Sequence, residues 1–187
     1  MMDELQGDVV LAAKRLLGCA LVRRLGDNLI TGRIVETEAY HQFDAASHSY
    51  KGKTSRAEIM FGPAGYVYVY FTYGMHYCMN IVTGPEGEGS AVLIRALEPL
   101  EGIELMRTHR GGVVDTQLTN GPAKLCQALQ VTMAFNGHNA AEPPLQLMFC
   151  EPIAEVDIVT TTRIGITRNT KRPWRFYIND NPFVSKR

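Results

Sequence analysis

Residues 28–40 read Asn28-Leu29-Ile30-Thr31-Gly32-Arg33-Ile34-Val35-Glu36-Thr37-Glu38-Ala39-Tyr40. Apolar and β-branched residues recur at alternate positions, which is the period of a strand. Side chains alternate across a strand, so one uninterrupted strand puts Glu38 and Tyr40 on the same face as Ile30, Gly32 and Ile34. Glu36 projects to that face as well. A carboxylate and a phenol then stand together at the end of a partly apolar strand, which suits a general base beside a flat apolar ligand. An edge-strand glutamate kept for solubility would give the same pattern.

A second run is equally strand-like: Tyr66-Val67-Tyr68-Val69-Tyr70-Phe71-Thr72-Tyr73-Gly74-Met75-His76-Tyr77-Cys78-Met79-Asn80-Ile81-Val82. Aromatic and β-branched residues alternate up to Phe71, Tyr73-Gly74 makes a tip, and a further apolar run follows from Tyr77. The segment predicts a β-hairpin with tyrosines along one strand and Tyr73 at its crown. Aromatic faces with an exposed aromatic wedge suit a protein that stacks on nucleobases and separates them. A Tyr-rich strand packed on a core reads alike.

Outward from these two segments, Asp8 is a candidate N-cap, and Val9, Ala12, Ala13, Leu16 and Leu17 recur at helical spacing up to Gly18. A strand from Cys19 to Leu25 and a turn at Gly26-Asp27-Asn28 lead into the Glu38 strand. Residues 42–65 are mostly polar without a sustained period and read as a long functional loop. A strand follows from Ala91 to Ala96, and Pro99 is expected to open a short helix reaching about Arg107. Asn120-Gly121-Pro122 starts another helix. Further strands are expected near Leu145–Cys150, Asp157–Thr161 and Arg175–Ile178. Hairpins outnumber crossovers, which predicts an α+β fold: one domain over residues 1–187, with a curved, largely antiparallel sheet, peripheral helices and a protruding β-hairpin.

At 187 residues, with 45% hydrophobic and 20% charged side chains, the chain fits one soluble globular domain. Asp3 and Glu4 stand where a secretory signal needs positive charge, and no apolar run approaches a membrane span. The expectation is an intracellular, monomeric protein, in the cytoplasm or nucleoid of a bacterium or in a eukaryotic nucleus. The four cysteines and five histidines show no ligand spacing, so no metal site is expected. A formal net charge of zero argues mildly against a nucleic-acid partner. Two local basic groups restore that reading: Arg163, Arg168, Lys171, Arg172 and Arg175 in an acid-free stretch, and Lys51, Lys53 and Arg56.

Several blocks together resemble the alkyladenine (3-methyladenine, alkylpurine) DNA glycosylase family. They are Arg33–Tyr40, His48, the hairpin from Tyr68 to Asn80, Leu93-Ile94-Arg95-Ala96-Leu97-Glu98-Pro99, Asn120–Leu129, Arg163-Ile164-Gly165-Ile166 and Pro173–Ile178. They span essentially the whole chain.

The resemblance implies a monofunctional enzyme without a cofactor that acts on double-stranded DNA containing damaged purines. Glu38 would activate a water, with Glu36 its rival from sequence alone, and Arg95 would hold the glutamate and the water. Tyr40, His48 and Tyr70 would cage the extruded base, and Asn80 would shape the pocket floor. Tyr73 would fill the gap in the base stack, flanked by Met75 and His76 in the minor groove. Lys171, Arg172 and Arg175 are candidates for phosphate contacts. The loop between Tyr40 and His48 lacks the family's glycine and is shorter than its usual form, which bears on the range of lesions accepted. Two other functions share parts of this pattern: a damaged-DNA-binding module without chemistry, and a hydrolase of free nucleosides. The second would need no wedge.

Overall fold

Strand β2 (Asn28–His41), at 14 residues, is the spine of the protein, here described at residues 2–186 in a computed structural model. One edge of β2 pairs with β5 (Ser90–Glu101) along most of its length. The other edge is shared: β1 (Ala20–Leu25) takes residues 28–33, and β8 (Arg175–Ile178) takes Glu36 to Glu38. The hairpin β3 (Val67–Thr72) and β4 (His76–Val82) extends the sheet beyond β5. Strand β6 (Leu145–Met148) borders β1, and β7 (Ile158–Thr161) pairs with β8. The result is one open eight-stranded antiparallel sheet in the order β3-β4-β5-β2-β1-β6, with β8 and β7 branching from β2.

Helices α1 (Val9–Leu16), α2 (Ile103–His109) and α3 (Pro122–Ala128) contribute to the main core against this sheet. Helix α1 starts where Asp8 accepts from the Val10 and Leu11 amides, satisfying two otherwise orphaned donors. Its stripe of Val9, Ala12, Ala13 and Leu16 is buried. An α+β domain with peripheral helices and a projecting hairpin is therefore what the sequence describes.

Two local expectations change. First, β2 is not one regular strand: its pairing with β5 shifts between Ile34 and Glu36 and again before Thr37. A bulge inserts one residue and reverses which face the following side chains occupy. Ile30, Ile34 and Ala39 lie in the main core, and the buried Thr37 turns the same way, its hydroxyl donating to the Ala13 carbonyl of α1. Glu36, Glu38 and Tyr40 consequently face away from Ile30, Gly32 and Ile34, on the other side of the sheet. Second, Pro99 lies inside β5 and starts no helix. It sits opposite Gly32 at another register shift, where a missing backbone donor costs no ladder bond; α2 begins only after Gly102, at φ 73°. Residues 42–65 form the expected long loop, built around two short 3₁₀ turns, His48–Lys51 and Glu58–Phe61, and bury Asp44, Ser47, Ser49, Ala57 and Met60.

Candidate active site

The bulge in β2 delivers two carboxylates to the same side, and both are fully buried. Glu36 is saturated. Its Oε1 accepts from Arg95 Nε at 3.0 Å, Arg175 Nε at 2.7 Å and Ser185 Oγ at 2.9 Å, and its Oε2 accepts from the Ser185 amide at 2.7 Å. Glu38 is held differently. Tyr40 Oη donates to Oε2 at 2.7 Å, the Ile164 amide donates to Oε1 at 2.8 Å, and Arg95 Nη1 stands 3.3 Å from Oε1. A carboxylate offers about four acceptor positions. Three donors leave Glu38 room for one more, whereas Glu36 has none.

Arg95 thus bridges the pair. Burial opposes its charge, but Glu38 and Glu36 beside it outweigh that and hold its pKa above the usual arginine value. The three groups that bind Glu38, namely Tyr40, Arg95 and Ile164, all border one cavity of about 580 Å³. His48, Tyr70, Asn80 and Tyr73 border it too. The carboxylate lies one hydrogen bond behind the cavity wall.

The aromatic walls are neutral. Burial first, and then the Glu38 carboxylate, push the Tyr40 phenol far above its ordinary pKa; burial and Cys78 do the same to Tyr70. His48 packs edge-on against Tyr70 with ring centroids 4.7 Å apart, and its Nδ1 is 2.9 Å from Tyr68 Oη. Burial, aided by the Arg56 charge, lowers its pKa to about 4, so the imidazole is uncharged at neutral pH. Asn80 Nδ2 donates to the Tyr68 carbonyl at 3.0 Å, which fixes the amide in the cavity wall.

Tyr73 is 84% exposed at the hairpin tip. Tyr73 and Gly74 both have positive φ, at 51° and 68°, the pairing that a type I′ turn requires. A tyrosine in that conformation is uncommon. Met75 and His76 are exposed beside it, but they border a separate groove of about 350 Å³ against α3 rather than the main cavity.

The basic groups divide. Arg175 is withdrawn from the candidate phosphate contacts, because it is buried under β2 with its guanidinium committed to Glu36 and the Lys186 carbonyl. Arg163, which the sequence groups with it, is buried as well. Lys171 and Arg168 are exposed, and Arg172 stacks on Trp174 with its Cζ 4.7 Å from the ring centroid. Lys51, Arg56 and Arg168 stand at the rim of the cavity. Sequence reasoning gave no role to Tyr68, although its place two residues before Tyr70 on β3 puts it on the same face. The Ile164 amide, a backbone donor in an irregular segment, leaves no mark in the sequence.

The model of the methylpurine-DNA glycosylase (MPG) family matches residues 3–182. A protein of Carboxydothermus hydrogenoformans, provisionally named a 3-methyladenine DNA glycosylase, is 55% identical over 96% of this chain and 95% of its own length. Equally provisionally named proteins of Methanoculleus marisnigri and Francisella tularensis are 50% and 49% identical over 96% and 94% of the chain, and over 95% and 93% of their own lengths. With the family model matching nearly end to end, this chain belongs to the methylpurine-DNA glycosylase family.

Proposed function

We propose that this DNA glycosylase extrudes an alkylated or deaminated purine from duplex DNA into the Tyr40–His48–Tyr70 cavity and hydrolyses its N-glycosidic bond with a water activated by Glu38. The observation that carries the reading is the pairing of a buried carboxylate, with one acceptor position to spare, and a cavity of uncharged aromatic walls bordered by the groups that bind it.

As the bond to the purine lengthens, positive charge develops on the sugar. Glu38 orients and deprotonates a water and faces that charge. Arg95 keeps the carboxylate anchored and compensates its charge in the resting protein. Uncharged tyrosine and histidine faces hold a cationic, electron-poor alkylpurine by stacking, while Arg95, the cation nearest Glu38, is balanced by Glu36 and Glu38. Such a base also departs readily, so selection rests on binding. Asn80, fixed to the Tyr68 carbonyl, disfavours guanine's exocyclic amine. Tyr73 enters the stack and offsets the loss left by the extruded base. The groups that contact Glu38 among the described residues are Tyr40, Arg95 and the Ile164 amide, and the proposed route is hydrolysis by water.

Incubating the protein with duplexes that each carry one lesion (3-methyladenine, 7-methylguanine, hypoxanthine or ethenoadenine), then cleaving abasic sites with alkali, tests the reading. Lesion-dependent scission only after alkali is the expected result. Binding without scission would leave a damage-sensing module, and release of bases from free nucleosides alone would leave a nucleoside hydrolase.

A further inference from the structure

Arg163 has no part in the chemistry above, yet its charge is wholly enclosed. Its side chain is fully buried, and so is that of Asp44, its ion-pair partner. Nη1 donates to Asp44 and, at 2.8 Å, to the Ala39 carbonyl, the backbone link between Glu38 and Tyr40. Asp44 also accepts from Asn169 Nδ2 at 2.6 Å and from the Ala46 amide at 3.1 Å. Burial opposes ionisation of Asp44, but Arg163 and these donors hold its pKa below the usual carboxylate value.

The rest of the guanidinium is covered by rings. Its Cζ lies 4.6 Å from the Tyr40 ring centroid and 5.5 Å from that of Trp174. Among the described residues, Nε and Nη2 have no hydrogen-bond partner. Buried polar groups are nearly always paired, so an arginine left half-unpaired has been placed for something other than its hydrogen bonds. Lying over two aromatic rings, the guanidinium serves as a flat, cationic filler that a compact ammonium replaces poorly. Arg163 does not itself border the cavity, whereas Tyr40 does. The next residue, Ile164, supplies the amide that binds Glu38.

We infer that Arg163 is a positioning residue: it backs the Tyr40 ring and grips the Ala39 carbonyl. It thereby keeps the stacking face in the cavity and the phenol hydroxyl on Glu38. Its ion pair with Asp44 joins the loop after β2 to the loop before β8, two segments that both wall the cavity. This role rests on the reading that Tyr40 stacks the extruded base and Glu38 activates the water.

The test compares Arg163→Lys with the double variant Arg163→Met/Asp44→Leu. The double variant removes both charges together, so no lone buried ion is left to unfold the protein. Single-turnover excision of whichever lesion the parent releases fastest is measured beside the dissociation constant for the same duplex. Both variants are expected to lose at least tenfold in excision rate, a larger loss than in lesion-duplex affinity, to which phosphate contacts also contribute, and the far-ultraviolet circular dichroism is kept. In a Tyr40→Ala background the same changes should cost far less, because the ring they position is gone. Parent-like excision by the folded double variant would overturn the role, and so would losses that simply multiply with that of Tyr40→Ala. A Glu38→Gln control separates the two failures. If that variant still releases the base, the underlying reading falls and the Arg163 role with it; if it is inactive while the double variant is unimpaired, only the Arg163 role falls.

Discussion

Arg95 stands 3.3 Å from Glu38 while its Nε is bonded to Glu36, so one guanidinium balances two fully buried carboxylates. Arg175 balances only the second, through Glu36 Oε1. Removing Arg95 therefore strips Glu38 of its only cation among the described ion pairs. Breaking a buried pair in this way costs about 3–5 kcal/mol. Arg95→Ala is expected to lose stability on that scale and to excise poorly. Urea unfolding and single-turnover excision check both, and a variant as stable as the parent would show the pair to be worth little.

Tyr73 is 84% exposed and buries little. Tyr73→Ala should melt within a few degrees of the parent. Unstacking a base costs a few kcal/mol, which the ring offsets by filling the gap. Fluorescence of 2-aminopurine beside the lesion should therefore rise less with the variant than with the parent. Equal signals would remove Tyr73 from the wedge role.

His48 titrates at about 4 in the folded protein against 6.5 for an unperturbed histidine. Its folded pKa is depressed, so the unfolded chain takes up the proton first as pH falls. The stability associated with a neutral His48 is full above about pH 6.5 and is lost progressively down to about pH 4. Between pH 7 and 5 this amounts to about 2 kcal/mol. His48→Gln should show a correspondingly smaller acid loss in urea unfolding at the two pH values. Arg56→Ala should raise the His48 pKa, as read by an NMR titration, because the nearby charge is removed.

Exposure sorts the cations for DNA binding. Lys171, Arg168, Lys51 and Arg56 face solvent and Arg172 is half-buried, so several phosphates can be met despite zero net charge. Each contact contributes roughly −0.9 to the slope of log affinity against log salt, giving about −3 to −5 in all. Lys171→Ala with Arg172→Ala should flatten the slope by up to about two units. Buried Arg175 should leave the slope unchanged when replaced, whatever it does to stability. A slope insensitive to the first pair would place the DNA-binding face elsewhere.

Alternation revealed β2, the hairpin and β8, because half-buried strands imprint a period of two on the sequence. Capping chemistry marked α1 through Asp8. What alternation cannot show is a single inserted residue: the bulge at Val35 reverses the face of Glu38 and Tyr40, yet leaves the run of residue types strand-like. The same limit hid Pro99, which is tolerated in β5 only because its partner register slips there. Charge runs were legible as charge but not as direction. Arg163 and Arg175 turn inward because Asp44 and Glu36, distant in sequence, wait beneath them. Tyr40, Tyr70, Asn80 and Arg95 were readable because they stand on β2, β3, β4 and β5, whereas much of the remaining cavity wall comes from irregular stretches within residues 45–60 and 164–168. The Ile164 amide that binds Glu38, and Arg163 behind Tyr40, belong to an irregular segment without a period.

The claim that Glu38 and not Glu36 activates the water is tested most directly by comparing Glu38→Gln with Glu36→Gln in single-turnover excision on a lesion duplex. A general base contributes about 10²–10⁴-fold. Glu38→Gln should lose at least that much while lesion-duplex binding survives. Glu36→Gln should lose stability, because Arg95, Arg175 and Ser185 all converge on its carboxylate, but its folded fraction should retain most of the excision rate. Near-parental excision by Glu38→Gln, with the loss appearing instead in folded Glu36→Gln, would contradict the assignment.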